Sequence, residues 1–150
     1  MRLEVEIKQT KPFRNIYHKA SVNLIYTGKW MMQIQVDILK SYNLTLQQYN
    51  ILRILRGQFP NAATVKLVRD RMLDRMSDAS RIIELLRKKD LVERHVNDLN
   101  RRKMDVRITQ KGVDLLIEIE NENDRMDLKL RSLNEDELLQ LNSLLDKLRN

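Results

Sequence analysis

The sequence predicts a mostly α-helical chain with one small β-hairpin wing. Apolar residues recur at helical spacing through most of the 150 residues, and 42% apolar content is enough to fill one ordinary core. Between Asp74 and Gly112 that rhythm changes. From Ala79, the residues Ala79, Ile82, Ile83 and Leu86 fall at i, i+3, i+4 and i+7, so one helix face is fixed to a core while Ser77, Arg81, Glu84 and Lys88 point away. After Leu91 the period becomes two. Val92 and Val96, then Met104, Val106 and Ile108, alternate with Glu93, Arg94, His95, Asp105 and Arg107, the pattern of a half-buried hairpin. The intervening NDLNRRK is longer than a tight turn needs and sets Arg101, Arg102 and Lys103 at its tip, where a packed core cannot neutralise them. A helix followed by a basic-tipped hairpin is a winged helix.

Residues 1–10 show no clear period and read as an arm or loop. Pro12 suits a first helical turn, and a helix is expected from there to about Ser41. It carries two apolar stripes, one of Tyr17, Ala20, Leu24, Met31, Ile34 and Ile38, the other of Val22, Ile25, Met32, Val36 and Leu39. Two stripes need two partners, one within this chain and one on a second copy, although a helix buried wholly in one core reads the same. Thr45 opens the next helix in a capping box with Gln48. Gly57 and Pro60 close that helix, and Tyr49, Leu52 and Leu55 give it a buried face. From Thr64 to about Leu73, Val65, Val68 and Met72 define the first helix of a helix-turn-helix, with Asp74 or Ser77 expected to cap the second. Thr109 caps a helix through Val113, Leu116 and Ile117 toward Leu130, where the polar run NENDRMDLK breaks the core pattern. Asn134, followed by Glu135, Asp136 and Glu137, caps a final helix whose apolar series is Leu138, Leu141, Leu145 and Leu148. Alone in water, so short a helix is marginal, which predicts that it packs beside the first long helix of a second copy to build a dimer interface.

The net charge of +7 is unevenly distributed. Lys and Arg outnumber Asp and Glu 14 to 8 over residues 66–111 and 9 to 3 over 1–65, whereas residues 112–150 hold 5 against 10. A protein presenting one end to a polyanion keeps its acids at the other. The absence of cysteine excludes disulfides, thiol catalysis and cysteine metal sites, and leaves the compartment open. The N-terminal MRLEVEIKQTKPF mixes charges with isolated apolar residues, and no apolar run exceeds three, so neither a signal peptide nor a membrane span is expected and the protein is read as cytoplasmic. His18 and His95 belong to no triad or metal motif, and the three glycines form no phosphate loop. Glu118, Glu120, Glu122 and Asp124 read as a solvated helix face, because ligands at every second helical position do not converge. No catalytic residue, metal or cofactor is expected.

At the motif residues the chain resembles the MarR family of bacterial transcription regulators, whose pattern is a recognition helix, a GLVER-like strand start, a D-x-R wing and an LT-x-x-G helix start. Here SDASRIIELLRKKDLVER supplies the helix and first strand, Asn100 and Arg102 stand at the D-x-R positions, and Ile108, Thr109 and Gly112 complete the last motif. LKSYNLTLQQYNILRILRGQFP is similar to the family's second helix, so the resemblance spans essentially the whole chain. Two residues depart from the pattern. Asn100 in place of Asp weakens any ionic clamp on Arg102, and Asp90 replaces a Gly where Asp adopts positive φ at modest cost. The resemblance implies one domain over 1–150, with 45–111 as a winged-helix DNA-binding lobe and 1–42 and 112–150 as dimerisation helices. It implies a homodimer that represses transcription from a pseudo-palindromic operator in double-stranded DNA and is relieved by a small aromatic or anionic effector. Tyr26, Trp30 and Tyr49 are candidate liners of the effector site, or simple core. Without cysteine, the family's thiol-based peroxide sensing is excluded.

The candidate DNA-binding residues are Ser77, Asp78, Ser80 and Arg81, at the end of the recognition helix that enters the major groove in helix-turn-helix proteins. Arg81 can fork onto guanine, and Ser can bond bases or phosphates; for Ser77 and Asp78 capping alone is the alternative. Arg101, Arg102 and Lys103 suit a narrow minor groove, against the alternative of a solubilising loop tip. Lys88, with Lys89, either meets phosphate or complements the helix dipole. The rival function, a winged-helix protein-interaction module without specific DNA readout, gives no reason for three cations at the wing tip.

Overall fold

The computed structural model describes residues 2–74, 76–97, 104–122 and 124–150. The arm contains a single helical turn, α1 (Leu3–Glu6), too short to show a period in sequence. Its Leu3 is buried, and Glu4 pairs with Lys19 at 2.5 Å. The long helix α2 (Ile16–Lys40) begins four residues later than Pro12 suggests, because Asn15 is its cap and accepts the His18 N–H at 2.8 Å. The next helix, α3 (Leu46–Arg56), starts in the expected capping box: Thr45 Oγ1 accepts the Gln48 N–H at 3.1 Å, and Gln48 Oε1 accepts the Thr45 N–H at 3.2 Å. It runs through the centre of the core, burying Tyr49, Ile51, Leu52 and Leu55.

A two-residue strand, β1 (Ala63–Thr64), precedes α4 (Val65–Arg71), and Thr64 serves both, pairing in the sheet and accepting the Leu67 N–H at 3.1 Å as helix cap. Then come α5 (Ala79–Lys88), β2 (Val92–Val96) and β3 (Met104–Ile108). The strands form an antiparallel sheet in the order β1-β3-β2, with Ala63 opposite Val106 and Arg94 opposite Val106 from the other side. Two residues cannot show an alternation, so β1 was not legible in sequence. Ala63, Val92, Val106 and Ile108 face the core, but Val96 and Met104, opposite each other at the far end, are 53% and 41% exposed. The hairpin therefore projects beyond the helices that bury its base, and the expected burial of Val96 and Met104 does not occur.

Asp90 turns the chain from α5 into β2 at φ 59, in the left-handed region that the departure from Gly anticipated. Thr109 starts α6 (Gln110–Glu122), its Oγ1 accepting the Gly112 N–H at 3.1 Å and donating to the Asp90 carbonyl at 2.8 Å. Gly112 lies so close to the sheet that a Cβ there would sit 2.5 Å from the Leu91 carbonyl oxygen and 2.7 Å from Ile108 Cγ1. The helical stretch that follows is described as α6 and, past residue 123, as α7 (Asp124–Leu130). Glu120 pairs with Arg56 of α3 at 2.8 Å. The last helix, α8 (Glu135–Arg149), has the expected Asn134 cap, closed into a box by Glu137.

The core gathers α3, α4, α5, α6 and the sheet, and α2 joins it through Ile38 and Leu39 at its C-terminal end. Farther back, Ile16, Tyr17, Leu24, Ile25 and Met32 are exposed, and α8 buries no residue at all. The reading of the first long helix as wholly buried in its own chain's core is thereby removed.

Candidate nucleic-acid interface

The helix α5 is anchored by Ala79, Ile83 and Leu86, all buried, and its opposite face carries Ser80, Arg81, Leu85 and Lys88 in solvent. Its cap is Asp78, whose Oδ1 accepts the Arg81 N–H at 3.1 Å, not Asp74 or Ser77 as the sequence suggested. The correction follows from where the helix begins: with Ala79 as its first residue, Asp78 stands at the capping position. Asp74 organises the preceding turn instead. Its carboxylate accepts the Ser77 hydroxyl at 2.6 Å, the Met76 N–H at 3.0 Å and the Gln47 side-chain amide at 3.4 Å. The Ser77 bond first, then those from Met76 and Gln47, hold the Asp74 carboxyl below its ordinary pKa. In this state both Ser77 and Asp78 have local partners, while Ser80 and Arg81 face solvent.

The charges on this face leave it positive. Glu84, half-buried, is gripped by Arg87 through bonds of 2.8 Å to Oε1 and 3.1 Å to Oε2, and Arg94 of β2 lies 3.7 Å from Oε2. The Arg87 bonds, helped by the charges of Arg87, Arg94 and Lys88, hold the Glu84 carboxyl below its usual range. Glu84 thus stays ionised and already matched, and among the described residues no carboxylate pairs with the Arg81 guanidinium. Lys88 is exposed at the end of α5. Its neighbour Lys89 is committed within the fold, since its ammonium donates to the Asn43 carbonyl at 2.5 Å and to Gln48 Oε1 at 3.2 Å, tying the end of α5 to the start of α3.

Arg101, Arg102 and Lys103, with Asn100, lie outside the described residues. The strands that carry them are placed: β2 ends at Val96, β3 begins at Met104, and Asn97 donates to Asp105 Oδ2 at 2.6 Å across the neck of the hairpin.

The three aromatic candidates do not meet. Tyr26 and Trp30 are 36% and 44% exposed and line a cleft of about 590 Å³ between α1 and α2, with Arg2, Glu4, Glu6 and Lys19. Desolvation, and then a hydrogen bond to Glu6, raise the Tyr26 pKa. Tyr49 is buried and lines another cleft, of about 620 Å³, bounded by α2, α3 and the turn before α5 through Met32, Gln35, Asn50, Arg53, Met72, Leu73 and Asp74. The Arg53 guanidinium lies 5.8 Å from the Tyr49 ring centroid. Sequence reasoning missed Arg53 here; its spacing of i+4 from Tyr49 on one helix was the available signal.

No family model matches the chain. It is 29% identical over 129 residues, 86% of its own length and 80% of the other's, to the HTH-type transcriptional regulator MgrA of Staphylococcus aureus. Among solved structures, the MarR transcription factor from Planctomyces limnophilus is 31% identical to it, with 90% of this chain and 98% of that one covered at a TM-score of 0.69. The S. aureus MepR–DNA complex superposes at a TM-score of 0.76 over 85% of this chain and 94% of that one, with 22% identity, a likeness of fold.

Proposed function

We propose, since this chain belongs to the MarR family of transcription regulators, that it binds double-stranded DNA sequence-specifically as a cytoplasmic homodimer and represses by occupying a pseudo-palindromic operator. The observation that carries this reading is the outer face of α5, where Ser80 and Arg81 stand exposed at the N-terminal end and the acid beside them, Glu84, is already matched by two arginines. Arg81 then supplies a two-pronged donor for the O6 and N7 atoms of a guanine, Ser80 bonds a base edge or phosphate, and Lys88 a phosphate. Ser77 and Asp78 contribute by holding the helix N-terminus in shape. Arg101, Arg102 and Lys103 add affinity from the wing, in the adjacent minor groove.

Residues 45–111 form the DNA-binding lobe in this reading, and 1–42 and 112–150 the dimerisation helices. The unburied faces of α2 and α8 support that division, because apolar surface of this extent favours association. Pairing two copies sets two α5 helices across a two-fold axis, which calls for half-sites about one DNA turn, roughly 34 to 36 Å, apart. For the effector, the Tyr49 cleft is favoured over the Tyr26 and Trp30 cleft. It joins the Tyr49 ring and the Arg53 cation, a fit for a small aromatic anion, and its wall includes the turn that leads into α5. A ligand there would move α5 against α2, and so against the partner's α5. Selection of bound sequences from a random duplex library tests the proposal: enrichment of an inverted repeat with that spacing is expected, and binding without any enriched sequence would favour the protein-interaction reading.

A further inference from the structure

We infer that Leu85 is a specificity-determining residue of α5, seated on the C5-methyl group of a thymine; this rests on the DNA reading above. A single surface leucine calls for no explanation by itself. Its register is what makes this one informative. Leu85 is 41% exposed, while Ile83 and Leu86 on either side of it are 0% exposed, so the core already has its anchors. It follows Arg81 by four residues, hence shares its face, one turn or about 6 Å farther along the helix. The other exposed positions of α5 are Ser80, Arg81, Arg87 and Lys88, all polar.

Leu85 also lines, with the half-buried Ile82, the apolar part of a cleft of about 260 Å³ between α5 and the start of α3, whose polar walls include Gln47, Ser77, Asp78 and Arg81. Among the exposed side chains of α5, Leu85 alone can form no hydrogen bond. In the major groove the matching feature is the thymine methyl, the apolar group on the base edges there. With Arg81 on guanine, the 6 Å offset against about 3.4 Å per base step puts that thymine within about two steps of the guanine in each half-site.

The experiment takes the operator selected by the parent chain and replaces its thymines one at a time by deoxyuridine, which deletes only the methyl, and then measures affinity for the parent, Leu85→Ala and Leu85→Gln. At one thymine per half-site the parent should lose about fourfold, the worth of one methyl withdrawn from water. Leu85→Ala should show no penalty at that position and parental penalties elsewhere, and Leu85→Gln should shift the preference there toward adenine. Undiminished parental penalties in Leu85→Ala at every thymine would overturn the assignment of Leu85 and leave the DNA reading standing. So would a parent indifferent to uridine throughout, a result that needs no variant to fold. A parent chain that enriches no sequence would overturn both.

Discussion

Replacing Gly112 by alanine tests how the wing is locked to the helix that follows it. The added methyl carbon would lie 2.5 Å from the Leu91 carbonyl oxygen and 2.7 and 3.2 Å from Ile108 Cγ1 and Cδ1, against ordinary contacts of about 3.5–4.0 Å between carbons. Neither neighbour yields easily. Ile108 is 1% exposed, and the Leu91 carbonyl accepts the Thr109 N–H at 3.1 Å, the bond that sets where α6 begins. Gly112 does not have positive φ, so alanine meets no conformational penalty and gains about 1 kcal/mol in helix propensity. Against that gain stand overpacking, about 1–3 kcal/mol, and a weakened buried hydrogen bond, about 1 kcal/mol. The net is a loss of about 2 kcal/mol, or about 4–8 °C in Tm for a chain of this size. Urea and thermal unfolding followed by circular dichroism, at one protein concentration for both chains, measures it. Stability equal to or above that of the parent would refute the close approach of α6 to the sheet.

Arg101→Ala with Arg102→Ala should weaken binding to all duplexes alike and flatten the plot of log K against log salt by about one unit per lost phosphate contact; parental binding by the double variant would remove the wing from the interface. The Asp74 carboxyl is held below its ordinary pKa by Ser77, Met76 and Gln47, so its contribution to stability is present above the ordinary aspartate value and is lost as pH falls through the lower folded value. The stability gap between the parent and Asp74→Asn should therefore narrow below about pH 4, and a gap that does not change with pH would show the bonds to be inconsequential. Truncation before Asn134 removes a helix with no fully buried residue, and should cost dimerisation and operator affinity together; a folded monomer that binds the full operator with parental affinity in sedimentation and titration would show that α8 does not set the spacing.

The elements that announced themselves in sequence were those whose signals are local and repeated. The α5 stripe, the two alternating strands, the Thr45 box and the Asn134 cap each need only a few neighbouring residues to be recognised, and each element lies where its pattern put it, although the strands bury only Val92, Val106 and Ile108 of their apolar set. Helix starts were less legible: α2 begins past Pro12 at the Asn15 cap, and among Asp74, Ser77 and Asp78 the cap of α5 is decided only by the exact residue at which the helix starts. Strand β1 and helix α1 were invisible for want of length. Of the site, the outward set Ser80, Arg81 and Lys88 was legible because it is what remains after the buried stripe is subtracted. The separation of Tyr49 from Tyr26 and Trp30 was not, since it depends on which end of α2 meets α3, a tertiary fact that no spacing along the chain encodes.

If α5 reads base edges through Arg81, the contact must be worth more on the right sequence than on the wrong one. Affinities of the parent and Arg81→Ala for the selected operator and for a scrambled duplex of equal length, at a single salt concentration, decide this. Loss of a two-pronged guanine contact should cost about 1–3 kcal/mol on the operator, roughly 5- to 150-fold, and leave the scrambled duplex bound as before. Equal weakening on both duplexes would make Arg81 a phosphate contact, and no weakening on either would take α5 out of the groove.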